Sequence, residues 1–453
     1  MKRRWFSQSL VAVLAVVLAG CDSGTPTSLA SASGTSPSAL PSSTSTSRSG
    51  APGVPNPQAS LTPSSPPTAL TGQVAQCPKG STPNRAGPAK QERPALGYNN
   101  PQAAMDTESG RVVVWDAESM STWTLDVCTN TWKAMKPAQE PRPMVRRLVY
   151  DARWGVVIAF TDPTFDAWQV TGVWIYVVDT NTWTELPSPM PAQGIWEYSQ
   201  QHLVYDSRSG MVLSLDMATM ALWAYELGRN TWTKVPQTGQ VPGLQQVRHG
   251  PHGRDLRDVC NVPYHSFLSY DSVAGRVVLA LPGHETWLFN PTTGVWTKEA
   301  STPKIPVFDH WGFERGTEVT FDAAHKRTVI YSLGLLSTYD AATRTWTTVP
   351  GIPTVSPAQQ PDQPLKPSPM TRSGHTLIYD PINKRVLMFG GSSLISTDPM
   401  ARGHWRDNDD ILAYDLKTNT WTTIVPATSL PATRQASSLR AARASTPEGF
   451  SPL

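Results

Sequence analysis

Short apolar runs separated by short polar breaks recur along most of this chain, and the recurrence has a period long enough to be a structural unit. The clearest unit reads HTLIYD, a PINK turn, RVLMFGG, then DILAYDL and TWTTI. Each run is rich in β-branched and aromatic residues, and each break carries turn formers, so the unit predicts four strands joined as two hairpins. Related first hairpins recur as LVYDARWGVVIAF, LVYDSRSGMVLSL, FLSYDSVAGRVVLAL and VTFDAAHKRTVIYS. Six such units fill residues 97 to 426. Four short strands repeated six times predict an all-β fold, a six-bladed β-propeller.

The repeat has two chemical signatures. Every unit ends on a tryptophan after a polar turn: Trp132, Trp183, Trp232, Trp296, Trp346 and Trp421. In four units a second tryptophan stands nine residues earlier, at Trp123, Trp174, Trp223 and Trp287. A tryptophan at a fixed phase meets the same surroundings in every blade, so these side chains are expected to plug the space between stacked sheets. The second signature is an aromatic–Asp pair opening the first hairpin turn: Tyr150–Asp151, Tyr205–Asp206, Tyr270–Asp271, Phe321–Asp322 and Tyr379–Asp380, with Met105–Asp106 in the first unit. Glycine follows the Asp by four residues at Gly110, Gly155, Gly210 and Gly275, and Lys326 and Lys384 replace it elsewhere. Asp accepts turn amides and Gly supplies positive φ, so these carboxylates are read as turn formers and not as catalytic groups.

On these residues the units resemble kelch repeats. The last unit carries the fullest match, with His375 before its first strand, Gly390–Gly391 after the second, Tyr414–Asp415 and Trp421. The other units depart from it: Ala159–Phe160 and Ser214–Leu215 stand where the paired glycines belong.

The two ends are different in kind. Lys2, Arg3 and Arg4 precede an apolar stretch from Leu10 to Leu18, which is too short for a comfortable membrane span. It runs into Leu18-Ala19-Gly20-Cys21, which resembles the lipobox of bacterial lipoproteins; that resemblance implies removal of residues 1–20 and lipidation of Cys21. Residues 21–90 are Ser, Thr, Pro, Ala and Gly with few bulky apolar side chains, and are expected to form a disordered stalk holding the propeller about 45–50 Å from a membrane. The propeller is assigned to 91–427, and 428–453 to a disordered tail. With Cys21 given to lipid, Cys77, Cys128 and Cys260 allow at most one disulfide, and Cys77–Cys128 is the preferred pair because Cys260 should lie on the opposite face. A net charge of +3 without a basic, aromatic-interleaved run excludes nucleic acid as the expected partner.

Alternating strand directions put the turns after the first and third strands of each unit on one face, where the sequence has only short turns. Every long insertion belongs to the opposite face, where binding residues on a rigid scaffold tend to reside. Candidate binding residues there are His310, Trp311 and Arg315 in one connection and Arg402, His404, Trp405 and Arg406 in the insertion of the last unit. A further connection holds Arg248, His249, His252, Arg254 and Asp255, but its spacing lacks a second ligand cluster, and no metal or cofactor is expected. Counting back from each hairpin Asp, the starts of the innermost strands add His202, His265 and His375 as binding candidates, with Arg147 and Glu318 as the acid–base pair.

The leading expectation is a lipid-anchored, extracytoplasmic protein that binds an envelope polysaccharide or a protein partner without catalysis, touching the membrane only through its anchor. The alternative is a carbohydrate-active enzyme. Kelch propellers include galactose oxidases, whose copper site and flanking domain this chain does not match, and six-bladed sialic acid mutarotases, whose resemblance implies an acidic residue and an arginine in the channel.

Overall fold

The structure is a computed structural model describing residues 74–96, 101–142, 144–162, 172–187, 203–216, 219–242, 267–281, 285–302, 317–332, 334–349, 368–394 and 405–428. All of them lie in one compact unit, Pro57–Leu453.

Six antiparallel four-stranded sheets form the blades, each built from strands in chain order. Blade one holds β1 (Gln102–Asp106), β2 (Arg111–Asp116), β3 (Ser121–Asp126) and β4 (Thr131–Ala134). Blade two holds β5 (Met144–Asp151), β6 (Val156–Asp162), β7 (Gly172–Val177) and β8 (Thr182–Leu186). In blade three these are β9 (Leu203–Asp206), β10 (Met211–Asp216), β11 (Ala221–Glu226) and β12 (Thr231–Lys234). Blade four follows with β13 (Phe267–Asp271), β14 (Arg276–Ala280), β15 (Glu285–Asn290) and β16 (Val295–Ser301). Blade five comprises β17 (Thr317–Asp322), β18 (Arg327–Ser332), β19 (Leu335–Asp340) and β20 (Thr345–Val349). Blade six is β22 (Thr376–Asp380), β23 (Arg385–Phe389), β26 (Ile411–Asp415) and β27 (Thr420–Val425). A small accessory sheet is made by β21 (Ser368–Ser373), β24 (Ser392–Leu394) and β25 (Trp405–Asp407), so strands stand at the base of what reads in the sequence as a plain insertion.

The first strand of each blade is innermost. β1 packs on β5, β5 on β9, β9 on β13, β13 on β17, β17 on β22, and β22 back on β1, which closes a six-bladed propeller. Its core lies in the seams between blades. One cluster joins Val112, Val114, Leu125 and Trp132 of blade one to Leu387, Phe389, Ile411 and Ile424 of blade six, and equivalent clusters fill the next seams. The repeat-phase tryptophans belong to these clusters. Trp132, Trp183, Trp232 and Trp296 are buried, and each burial removes enough area to be worth about 4–6 kcal/mol before entropy.

The recurring polar residues lock blade to blade. Asp106, Asp206, Asp271 and Asp380 accept backbone amides two and three residues on, and Asp151 and Asp322 accept at least one each. The partner tyrosine reaches across the seam, and Tyr205 Oη donates to Asp151 of the preceding blade at 2.7 Å. Tyr379 stands beside Asp322 of blade five and its Oη accepts from Ala324 N at 3.0 Å, while Tyr150 and Tyr270 stand next to Asp106 and Asp206 without a full hydrogen bond from their hydroxyls. The asparagine before the last tryptophan does two jobs. Asn181 adopts φ 52°, accepts from Tyr176 Oη at 2.7 Å, and donates to Met135 O of blade one at 2.6 Å. Asn230 repeats this with Tyr225 and Pro187. Asn tolerates the left-handed turn while its amide spans the seam, which explains the recurrent Asn-Thr-Trp text. Lys326 and Lys384, which stand where four blades have glycine, take φ 57° and 55°.

The packed chain starts earlier than expected. Residues 74–90, placed in the stalk by composition, lie with 91–96 against blades one and six, so the boundary drawn at residue 90 moves back at least to Val74. Composition is a poor guide here because this segment is held by backbone groups and a disulfide more than by apolar side chains. That disulfide is Cys77–Cys128, with Cα atoms 5.3 Å apart. Cys21 and Cys260 lie outside the described residues.

Candidate functional site

Strand direction gives the propeller two unlike faces. All twelve turns after first and third strands are four residues long, from 107–110 in blade one to 416–419 in blade six. Connections at the opposite face range from the two residues 333–334 to the segment 235–266. The innermost strands start at this variable face, and the candidate site sits at those starts.

Arg147 and Glu318 occupy the same phase of the repeat, each four residues before its hairpin aspartate, Asp151 and Asp322. Blades two and five are opposite members of a ring of six, so the two side chains approach each other across the axis, Nη1 to Oε2 3.8 Å. In the other blades the same phase carries Gln102, Phe267 and Thr376, while His202 lies outside the described residues. Charge in this layer, among the described residues, is therefore confined to one diameter of the ring. The β5–β6 ladder slips between Val145 and Arg147, leaving Arg146 as an extra residue opposite β6. A bulge of this kind redirects the following side chains, and such bulges concentrate near functional sites.

Glu318 is almost fully buried, with 4% of its side chain exposed, while Arg147 keeps 16%. Burial disfavours the carboxylate more than Arg147 and the Val319 amide favour it, and the Glu318 carboxyl is pushed up to about 7. It can therefore hold or release a proton near neutrality, beside a permanent cation. That is the arrangement general acid–base chemistry uses, and one that recognition of a hydroxylated or anionic ligand can use equally.

Behind Glu318 the seam with blade six is filled by a polar cluster. Tyr331 stands opposite Glu318 in the β17–β18 register and meets the edge of the His375 ring, centroids 5.2 Å apart. His375 is completely buried, and burial, followed by the nearby Arg372 charge, holds it down at about 3, so it is neutral. A contact with the Tyr331 backbone opposes this but is too long or bent to be a full hydrogen bond. Arg372 is clamped by Asp410 through two 2.7 Å bonds and also donates to Gly390 O at 3.3 Å. His375, a binding candidate by sequence, therefore packs blade five against blade six and is closed to ligand.

The remaining candidates divide plainly. Arg406 is exposed on β25, which pairs Trp405 with Leu394 and Arg406 with Ser393 of β24. His202, His265, His310, Trp311, Arg315, Arg402 and His404 lie outside the described residues, as do His249, His252 and Asp255. Among the described residues no group of three His, Cys, Asp or Glu side chains gathers in a form that could hold a metal ion. Sequence reasoning missed Tyr331 and the Arg372–Asp410 clamp, which belong to a second strand and to the segments flanking blade six. The usable signal was phase: a charged residue where other repeats place Phe or Thr.

Comparison with known proteins finds no family model that matches this chain and no curated protein that resembles it in sequence.

Proposed function

We propose that this protein is a cell-envelope lipoprotein whose kelch-like propeller binds an envelope glycan or a protein partner through the face carrying its variable connections. The observation that carries the reading is the asymmetry of the ring: twelve four-residue turns at one end, and connections that range from two residues to more than thirty at the other. A scaffold that keeps one end constant and varies the other presents a recognition surface there. Export and lipidation rest on the residues around Cys21, and the Cys77–Cys128 disulfide suits an oxidising compartment. The test replaces residues 395–403, between β24 and β25, by a short Gly-Ser linker in the full chain, leaving Gly390, Gly391, Asp409 and Asp410 in place. Binding to immobilised envelope glycans and capture of envelope proteins should weaken at least tenfold. Undiminished binding by this and the equivalent 243–266 variant rejects the face as the binding surface.

A second reading, a carbohydrate-active enzyme of the sialic-acid-mutarotase type, draws on one specific observation, the neutral-range Glu318 facing Arg147 across the channel. For that reading Glu318→Gln abolishes turnover of a bound sugar while leaving its affinity within a few-fold. Equal loss of both, or no turnover by the parent protein, removes it.

A further inference from the structure

Five of the six seams are crossed by the chain as it passes from one blade to the next. The seam between blades six and one is not, because every blade takes all four of its strands from its own stretch of chain and no strand is exchanged between the ends. Residues 74–96 lie in that seam and touch both sides. Toward blade six, Gly87 N donates to Ile424 O at 2.7 Å, Gly391 N donates to Leu96 O at 3.1 Å, and Leu96 is buried in the cluster containing Leu387 and Phe389. Toward blade one, Ala75 N donates to Thr107 O at 2.8 Å and Trp132 N to Gln91 Oε1 at 2.8 Å. Pro83 O is the junction, accepting from Asn130 Nδ2 of blade one at 2.6 Å and from Arg385 Nη1 of blade six at 2.6 Å. The seat leaves no slack: a Cβ added at Gly87 would lie 2.2 Å from Asn130 O.

The outer end of this strap is fastened only once by a covalent bond, Cys77–Cys128, in the β3–β4 turn of blade one. We propose that residues 74–96 are a redox-locked latch that closes the ring between blades six and one, and that the closed ring is completed by oxidation of Cys77 and Cys128. The closing step is thiol–disulfide exchange: the two thiols lose two protons and two electrons to a disulfide donor, which leaves as a dithiol. The lock thus ties full closure to a compartment that supplies such donors.

The latch makes a prediction that simple stabilisation does not. A cross-link that only raised global stability would protect all blades together. A latch protects one seam, because opening between blades six and one needs no other blade to unfold. The experiment is amide hydrogen exchange on the full-length protein, oxidised and then reduced in place with a small dithiol, with a Cys260→Ser background to exclude exchange with that thiol. Reduction should speed exchange about tenfold or more in residues 75–96, 102–106 and 420–425, within the roughly thousandfold ceiling for opening a loop of this length. Strands β10 and β14, on the far side of the ring, should keep their protection. Gly87→Ala, with the disulfide intact, should open the same seam, because its Cβ meets Asn130 O of blade one and displaces residue 87 from its bond to Ile424 O of blade six. Uniform acceleration around the ring, or seam protection unchanged by both reduction and Gly87→Ala, overturns the latch.

Discussion

Replacing Glu318 with Gln removes a charge that the fold accommodates at a cost. The carboxyl moves from an ordinary 4.5 in the unfolded chain to about 7 in the folded one. Between those values the native state binds more protons than the unfolded state, so this group's contribution is full below pH 4.5 and is lost as pH rises through 7. At 1.36 kcal/mol per pH unit the loss is about 3 kcal/mol. Gln resembles the protonated acid in shape and lacks the titration, so Glu318→Gln should match the parent at pH 4.5 and exceed it by about 3 kcal/mol at pH 8. With about 2.1 cal/mol/K of unfolding entropy per residue and a ring of roughly 350 residues, that energy raises Tm by about 4 °C. The comparison must be made between variant and parent at each pH, because His375 titrates in the opposite sense and hides the slope in the parent alone. Thermal unfolding of both proteins at pH 5, 6, 7 and 8 is the assay. A difference that stays constant across the series refutes the reasoning, since it would mean that Glu318 does not titrate in this window. A difference that grows as expected identifies Glu318 as a carboxyl kept against stability, which is the mark of a functional group.

His375, held at about 3 against an ordinary 6.5, contributes stability that is present above pH 6.5 and lost as pH falls toward 3; His375→Leu should therefore gain about 2 kcal/mol relative to the parent between pH 6.5 and 5, read by denaturant titration. Phe321 interrupts the tyrosine-to-aspartate bridges, and Phe321→Tyr should add one to Asp271 of blade four, stabilising the protein by about 0.5–1.5 kcal/mol; an unchanged or lower Tm counts against the bridge. Asn181→Ala loses the Tyr176 and Met135 bonds and the tolerance for φ 52°, and should cost about 2–3 kcal/mol in chemical denaturation, with Asn181→Asp restoring part of it through Tyr176 alone.

The site was legible to the degree that it obeys the repeat. Arg147 and Glu318 stand out because a six-fold pattern says what each phase should contain, and half a ring apart in the repeat means face to face across the axis. His375 stands one residue earlier in the phase, five before Asp380, so it leaves the layer of Arg147 and Glu318 and packs in the seam against a neighbour that the repeat does not name. That neighbour is Tyr331, 44 residues earlier in the chain, and no local pattern links the two. The strap was harder still. A segment held by carbonyls such as Pro83 O and Arg85 O leaves no hydrophobic period, since backbone acceptors are the same in every residue.

The sequence by itself determined the blade count, the strand order, the turn aspartates and the burial of the repeat tryptophans, because each is set by interactions within some thirty residues of chain or by the same environment repeated six times. Tertiary structure alone decided which seam needs a latch, where the described chain begins to pack, and how far burial lifts Glu318. Those depend on closing the ring, which brings residue 87 to residue 424 and residue 147 to residue 318, and the energies at both places come from neighbours that only closure supplies.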